Sequence, residues 1–208
     1  MLFASTLWTA VFGLVGVAIT VSATLFGIWW KHQLETKAKG KTQANAVQAT
    51  RIMRNAISLA FDQLRVKRLL FLRIDCDKDT LIDEKATFYI TAIEEERRDP
   101  LPSLSQILQL YQVDDVYKET VIHPMMQGRE IVRVHTDVLP PCSLKNVFLA
   151  QHILMADMVS VLRVADHIWM FSVHHVEDIE HTPLYLATLD TLRHTLQTTL
   201  RKSPDAGL

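Results

Sequence analysis

The chain has 208 residues, of which 49% are hydrophobic and 22% charged, and its formal net charge is −1. Sixteen of the 22 basic and 22 of the 23 acidic residues fall in 55–208, so the body of the chain lacks the basic face of a nucleic-acid binder. Two cysteines, Cys76 and Cys142, sit far apart in no paired motif, which excludes a disulfide framework and agrees with a reducing compartment.

Residues 2–30 contain no Asp, Glu, Lys, Arg or His, and Leu7 to Trp30 is a run of 24 residues. As a helix rising 1.5 Å per residue it would reach ~36 Å, more than the ~30 Å of a bilayer's hydrocarbon core. Trp8 lies near one end and Trp29 and Trp30 at the other, the positions that indole rings take at headgroup level. A cleaved signal peptide would have a basic start and a shorter apolar stretch. The sequence therefore predicts a membrane anchor over 1–31. A basic juxtamembrane linker follows over 32–44, where Lys31, Lys37, Lys39 and Lys41 would face lipid phosphates. Positive charge beside a span stays on the cytoplasmic side, so the expected topology is single-pass, N-terminus outside and C-terminal domain cytoplasmic. Thr9/Gly13 and Ala23/Gly27 have the small-xxx-small spacing that lets spans pair.

Beyond the linker, Val47, Met53, Ala56, Ile57, Ala60, Phe61 and Leu64 recur at helical steps, with Asn45 as the expected cap. "VKRLLFLRI" at 66–74 and "LIDEKATFYITAI" at 81–93 read as two strands joined by an Asp-rich turn. "EEERRDPLP" reads as a solvated loop and "SLSQILQLYQV" at 103–113 as a helix. A second helix over "DVYKETVIHPMMQG" is interrupted at Pro124 and ends at Gly128. "REIVRVHTDVL" alternates as a strand, "LKNVFLAQHIL" reads as a short helix, and 157–176 as a hairpin turning at Ala165-Asp166-His167. The last helix starts at Thr182 and Pro183, with Leu184, Ala187, Leu192, Leu196 and Leu200 as its inner stripe. Residues 203–208 are the expected disordered tail. The order predicts an α+β domain over 45–202: a largely antiparallel sheet with its first and last helices on one face.

This order resembles the GAF family, and PAS and profilin-like domains share much of the architecture. The helix leading into "VKRLLFLRI" and its Asp-rich turn looks like the family's first helix and hairpin. "VADHIWMFSVHHVEDIEHTPLYLATLDTLRHTLQTTL" is similar to its close. The resemblance implies a sensory or regulatory module, a small-molecule site between the sheet and the connection covering it, and pairing through terminal helices. The Asn-Lys…Phe…Asp-Glu pattern of cyclic-nucleotide-binding members is missing. Where bilin-binding members often carry Cys-His, this chain has Cys142-Ser143.

Several constellations bear on chemistry. Asp75, Asp77, Asp79 and Asp83 fit positions one, three, five and nine of a calcium loop, but Thr80 stands at the glycine position and Ala86 at the glutamate position. His167, His174, His175, His181 and His194 gather late in the chain without zinc spacing, and His174 with His181 and Asp178 is the one set that would converge. No nucleophile elbow, phosphate-binding glycine loop or HExxH is present, so no catalytic residue, metal or cofactor is expected. The polar residues interleaved along the later strands are Arg133, His135, Ser160, Arg163, Ser172 and His174. They line a ligand pocket, where an arginine fork suits an anion, or they form the sheet's wet face.

The expected function is that of a non-catalytic, membrane-anchored cytoplasmic sensory or regulatory module acting through a small ligand or a protein partner. The expected partners are the lipid bilayer, a second copy or another membrane protein, and an unidentified small molecule, with no nucleic acid. The alternative is a membrane-associated assembly or interaction protein, for example a phage lysis accessory, with no small-molecule ligand.

Overall fold

The computed structural model describes residues 44–78, 81, 86–98 and 101–203. The chain divides into two compact units after Val47, and the description below concerns the second, from Gln48 onward. The described elements in chain order are α1 (44–64, of which 48–64 belong to the second unit), β1 (Arg68–Cys76), β2 (Phe88–Arg97), β3 (Tyr111–Gln112), α2 (Asp115–Tyr117), a π-helical turn (Lys118–Ile122), α3 (His123–Met126), β4 (Ile131–His135), α4 (Ser143–Ala150), β5 (Met155–Arg163), β6 (His167–His175) and α5 (Pro183–Lys202).

Six strands form one sheet in the order β3-β2-β1-β6-β5-β4, and every neighbouring pair is antiparallel. Strand side chains alternate between faces, which gives the sheet two cores. Leu69, Phe71, Val159, Trp169, Phe171 and Val173 pack with Met53, Ile57 and Phe61 of α1 and with Leu189, Leu192, Leu196 and Leu200 of α5. Leu70, Leu72, Ile74, Ile90, Met158 and Met170 face the other way, under a roof carrying Leu104, Tyr117, Val121, Ile122, Met125 and Phe148. The roof is the segment between β2 and β4, together with α4. Both faces of the sheet are thus covered, and this explains why β1, β5 and β6 are almost continuously buried.

Several local features depart from the sequence reading for identifiable reasons. The acidic run after the second strand is not loop: β2 continues to Arg97, because Glu95 finds a buried cation in Arg68 (3.0 Å). The stretch 103–113 is not a helix. Glu95 accepts from the backbone N–H groups of Leu104 and Ser105 (both 3.0 Å) and from Ser103 Oγ (2.6 Å), and Leu108 O takes the N–H of Ala92 at 2.7 Å. The chain is thereby drawn along β2 and can complete only one turn, ending at Leu110 with φ +55°. Pro124 does not break its helix. The π-helical turn just before it widens the spiral where a proline has no N–H and would meet the carbonyl of the preceding turn. Helix α1 is already running at residue 44, so Asn45 lies inside it instead of capping it. Thr182 does cap α5, its Oγ1 accepting from Tyr185 N at 3.2 Å.

The membrane-anchored architecture is corrected. No helix among the described residues is long and apolar enough to cross a membrane. The two long ones are amphipathic, with Arg51 and Arg54 exposed on α1 and Asp190 and Arg201 exposed on α5, whereas a span must be apolar all round. The anchor expected over 1–31, residues 32–43 of the linker expected over 32–44, and the interface residues Trp8, Trp29, Trp30, Lys31, Lys37, Lys39 and Lys41 lie outside the described residues. The single-pass topology, the lipid bilayer as partner and the membrane location inferred from them are not supported.

Candidate functional site

The alternation of β6 sends Ser172 and His174 to the roof side and His175 to the helix side. His174 stands beside Arg68 across the β1–β6 ladder, and Ser172 beside Leu70. Ser172 and His174 floor a cavity of about 40 Å³ between sheet and roof, with Leu70, Leu72 and Met158. Its roof includes Leu104, Leu108, Tyr117, Ser143, Val147 and Phe148. The lining is almost wholly apolar, as a small-molecule site usually is, with a few polar groups to orient what enters.

Those polar groups have definite states. His174 is 3% exposed, and burial, with the nearby Arg68 charge, pushes its pKa down to about 3. It is therefore neutral near pH 7. Its Nε2 lies 2.8 Å from Ser172 Oγ, while its Nδ1 is buried without a hydrogen-bond partner. A buried polar atom left unpaired costs about 1–3 kcal/mol, so a ligand group reaching Nδ1 would find uncompensated binding energy. Tyr117 is 3% exposed; its hydroxyl donates to Met170 Sδ (3.9 Å), and burial raises its pKa.

A clasp closes the roof. Asp114 Oδ1 accepts from Tyr117 N (2.9 Å), and its Oδ2 accepts from Ser143 N (2.9 Å) and from the Ser143 hydroxyl. One carboxylate thus holds together the starts of α2 and α4. Burial alone would raise its pKa, but the Ser143 and Tyr117 hydrogen bonds outweigh that and lower it. Cys142, beside the clasp, caps α4 through Sγ, which accepts from Lys145 N at 3.3 Å. Beside His174 on the sheet, outside the cavity lining, Arg68 donates to Pro102 O (2.6 Å) and to Gln151 Oε1 (3.0 Å). Its Nε lies 3.0 Å from Glu95 but off the hydrogen-bonding direction.

The other four strand residues lie elsewhere. Arg133 and His135 face the helix side and border an open groove with Asp178, Glu180 and His181. There Arg133 forks onto the fully buried Asp157 (2.9 and 3.1 Å) and donates to Ile179 O (3.0 Å). Asp157 also accepts from Tyr185 Oη (2.6 Å), contacts His181 Nε2 (3.1 Å) and lies 3.6 Å from His175 Nε2. Burial would raise its pKa, but these bonds outweigh burial and hold it far below the carboxylate range. Ser160 and Arg163 border a third recess beside α5. The set read from the sequence therefore splits three ways, and Ser172 with His174 is the pair at the cavity.

His174 and His181 point to opposite sides of the sheet, so the zinc set does not converge. Asp75 pairs with Arg73 (2.9 Å) and Asp77 accepts from Thr87 N (2.7 Å), a hairpin closure. Asp79 and Asp83 lie outside the described residues. Among the described residues no group of His, Cys, Asp and Glu is arranged for a metal.

Asp114, Glu95, Arg68 and Asp157 were missed as hubs. Asp157 had a signal: it is a lone acid in the apolar strand "MADMVSVL", and such a residue must find a cation or donors when buried. Asp114 had another, as a capping residue before a helical pattern.

No family model and no curated protein matches the sequence. Among solved structures the chain is similar to the PixJ GAF domain of Thermosynechococcus elongatus in its blue-light absorbing form. That match has 12% identity, covers 77% of this chain and 88% of the other, and gives a TM-score of 0.53. A GAF domain from Synechocystis in its photoproduct state matches at 12% identity, 75% and 95% coverage and TM-score 0.54. The GAF domain of a Bacillus halodurans two-component sensor histidine kinase matches at 12% identity, 74% and 97% coverage and TM-score 0.50. All three are GAF domains. The fold is GAF-like.

Proposed function

We propose that this chain is a GAF-like sensory or regulatory module that admits a small, mainly apolar molecule between the sheet and its roof. Ser172 and His174 orient the ligand's single polar group. The observation that carries this reading is the apolar cavity whose floor holds a neutral, buried histidine with one ring nitrogen unpaired. The GAF-like fold supports it, since solved domains of this fold include a chromophore-bound one.

The cavity's size dictates the mechanism. At about 40 Å³ it holds little more than a few waters; a tetrapyrrole would not enter it in this form. A larger ligand must lift the roof, in which α2, the π-helical turn and α3 are only three to five residues long each. Lifting strains the Asp114–Ser143 clasp, and ligand binding is thereby converted into movement of α2 against α4. The input is occupancy; the output is the altered roof surface offered to a protein partner.

Native mass spectrometry of the full chain, purified from its own host, tests this. A retained small molecule that is lost in Val147→Phe, which fills the cavity from the roof, is the expected result. An empty parent protein whose methyl NMR signals at Leu70, Leu72 and Val147 stay unmoved across a fragment library would overturn it.

A further inference from the structure

At the β4–β5 edge of the sheet, a polar recess of about 240 Å³ lies between the outer flank of α5 and the end of the roof segment at Met125 and Gly128. Three distant chain segments supply its walls: Arg129 and Glu130 before β4, Ser160 and Arg163 near the end of β5, and Arg193, Gln197 and Arg201 along α5. The spacing of the last three, four residues apart, sets them on one helix face. Four guanidinium groups thus border one recess with a single carboxylate among them. This runs against the composition of the chain, where residues 55–208 hold 22 acids and 16 bases.

The internal bonds leave most of that charge unspent. Glu130 Oε1 accepts from Arg193 Nη2 (2.7 Å), yet Arg193 Nε is buried without any hydrogen-bond partner. Arg163 uses Nη1 to bind the last carbonyls of α3, Met125 O and Met126 O (3.0 and 2.8 Å). No carboxylate among the described residues pairs with Arg129, Arg163 or Arg201. Gathering like charges around a concave space is unfavourable unless an anion neutralises them, and a recess of one sign concentrates the field that attracts it.

We propose that this recess is a binding site for a phosphate group, either inorganic phosphate or the phosphate monoester of a small metabolite. The guanidinium fork is matched to tetrahedral oxyanions, which accept bidentate, charge-assisted bonds, and a dianion balances three excess positive charges better than a carboxylate does. Its bonds would join α5 to the β4–β5 edge, so that occupancy clamps the C-terminal helix onto the sheet. The recess and the roof cavity share no lining residue. An acidic body with one closed basic recess does not suit a nucleic-acid backbone, which needs a continuous basic track.

The test uses the full chain, titrated with inorganic phosphate and separately with glucose 6-phosphate, at ionic strength held constant with chloride. Binding is read by calorimetry and by ³¹P NMR. The comparison is Arg129→Gln/Arg201→Gln, whose side chains are exposed and hold no internal bond, so circular dichroism should be unchanged. Saturable binding that weakens by about tenfold or more in the double variant is expected, equivalent to ~1.4 kcal/mol. Equal affinity for the two probes identifies the phosphate group itself as the ligand, and tighter binding of the ester identifies a sugar-phosphate-like metabolite. No binding beyond the chloride control, or binding unchanged in a folded double variant, overturns the proposal.

Discussion

Replacing Asp157 by Asn removes a charge on which three elements of the helix side converge. The carboxylate is fully buried and takes two bonds from Arg133 on β4, one from Tyr185 on α5, and a contact from His181 in the loop between β6 and α5. Asparagine keeps the shape but offers one acceptor where there were two, and leaves Arg133 without its counter-charge. Breaking a buried pair by removing one partner costs about 3–5 kcal/mol. At roughly 2–4 °C per kcal/mol for a chain of this size, the melting temperature should fall by roughly 6–20 °C. The same carboxylate sets an acid limit. Its folded pKa is depressed, so the stability it supplies is complete above the unfolded value of ~3.9 and is lost as pH falls from there toward the folded value. Urea titrations of parent and Asp157→Asn at pH 7 and at pH 3 measure both effects, and the gap between the two proteins should narrow at the lower pH. Asp157→Leu/Arg133→Met should recover much of the loss, because an apolar pair needs no desolvation compensation. A variant within about 0.5 kcal/mol of the parent at pH 7, the scatter of surface substitutions, would refute the argument that this network ties α5 to the sheet.

His174 predicts a slope on the pH axis: its folded pKa of about 3 lies below the unfolded 6.5, so the unfolded chain binds the extra proton. Stability is full above about pH 6.5 and falls by about 1.4 kcal/mol per unit below it; denaturant titrations from pH 7 to pH 4.5 should show that slope shallower by one proton in His174→Gln. Phe148, 2% exposed and tilted against His174 at 5.6 Å, should cost about 3–5 kcal/mol on truncation to Ala, with a gain in binding of small aromatic probes such as indole, read by calorimetry. Gly128 has φ +100° and nothing within 4 Å of a built Cβ; Gly128→Ala should therefore lose only the backbone term, about 1–2 kcal/mol, in thermal melts.

The hairpin of β5 and β6 and the capped helix α5 were legible because their signals are local. Two strand-like runs flanking Ala165-Asp166-His167, whose side chains point alternately to opposite faces, and a Thr-Pro start each specify their own backbone. The opposed faces of His174 and His175 followed from the same alternation. Membership of a common site did not follow. Arg133 and His174 are both interleaved polar residues on strands, yet one faces α5 and the other the roof, since the face each strand residue takes depends on which core its neighbours join. The stretch 103–113 misled because its apolar spacing is helical while the groups that capture its backbone, the Glu95 carboxylate and the Ala92 N–H, belong to β2.

Taken alone, the amino-acid order determined the α+β class, the first and last helices on one face of an antiparallel sheet, and the lack of a catalytic motif, because periodicity and capping act over a few residues. Tertiary structure alone decided that Glu95 and Arg68 are buried partners, that Asp157 joins β4 to α5, and that four arginines from three segments share a recess. Electrostatic pairing and desolvation depend on distances in space, and residues 27 positions apart (Arg68 and Glu95) or 72 apart (Arg129 and Arg201) meet only when the sheet has closed.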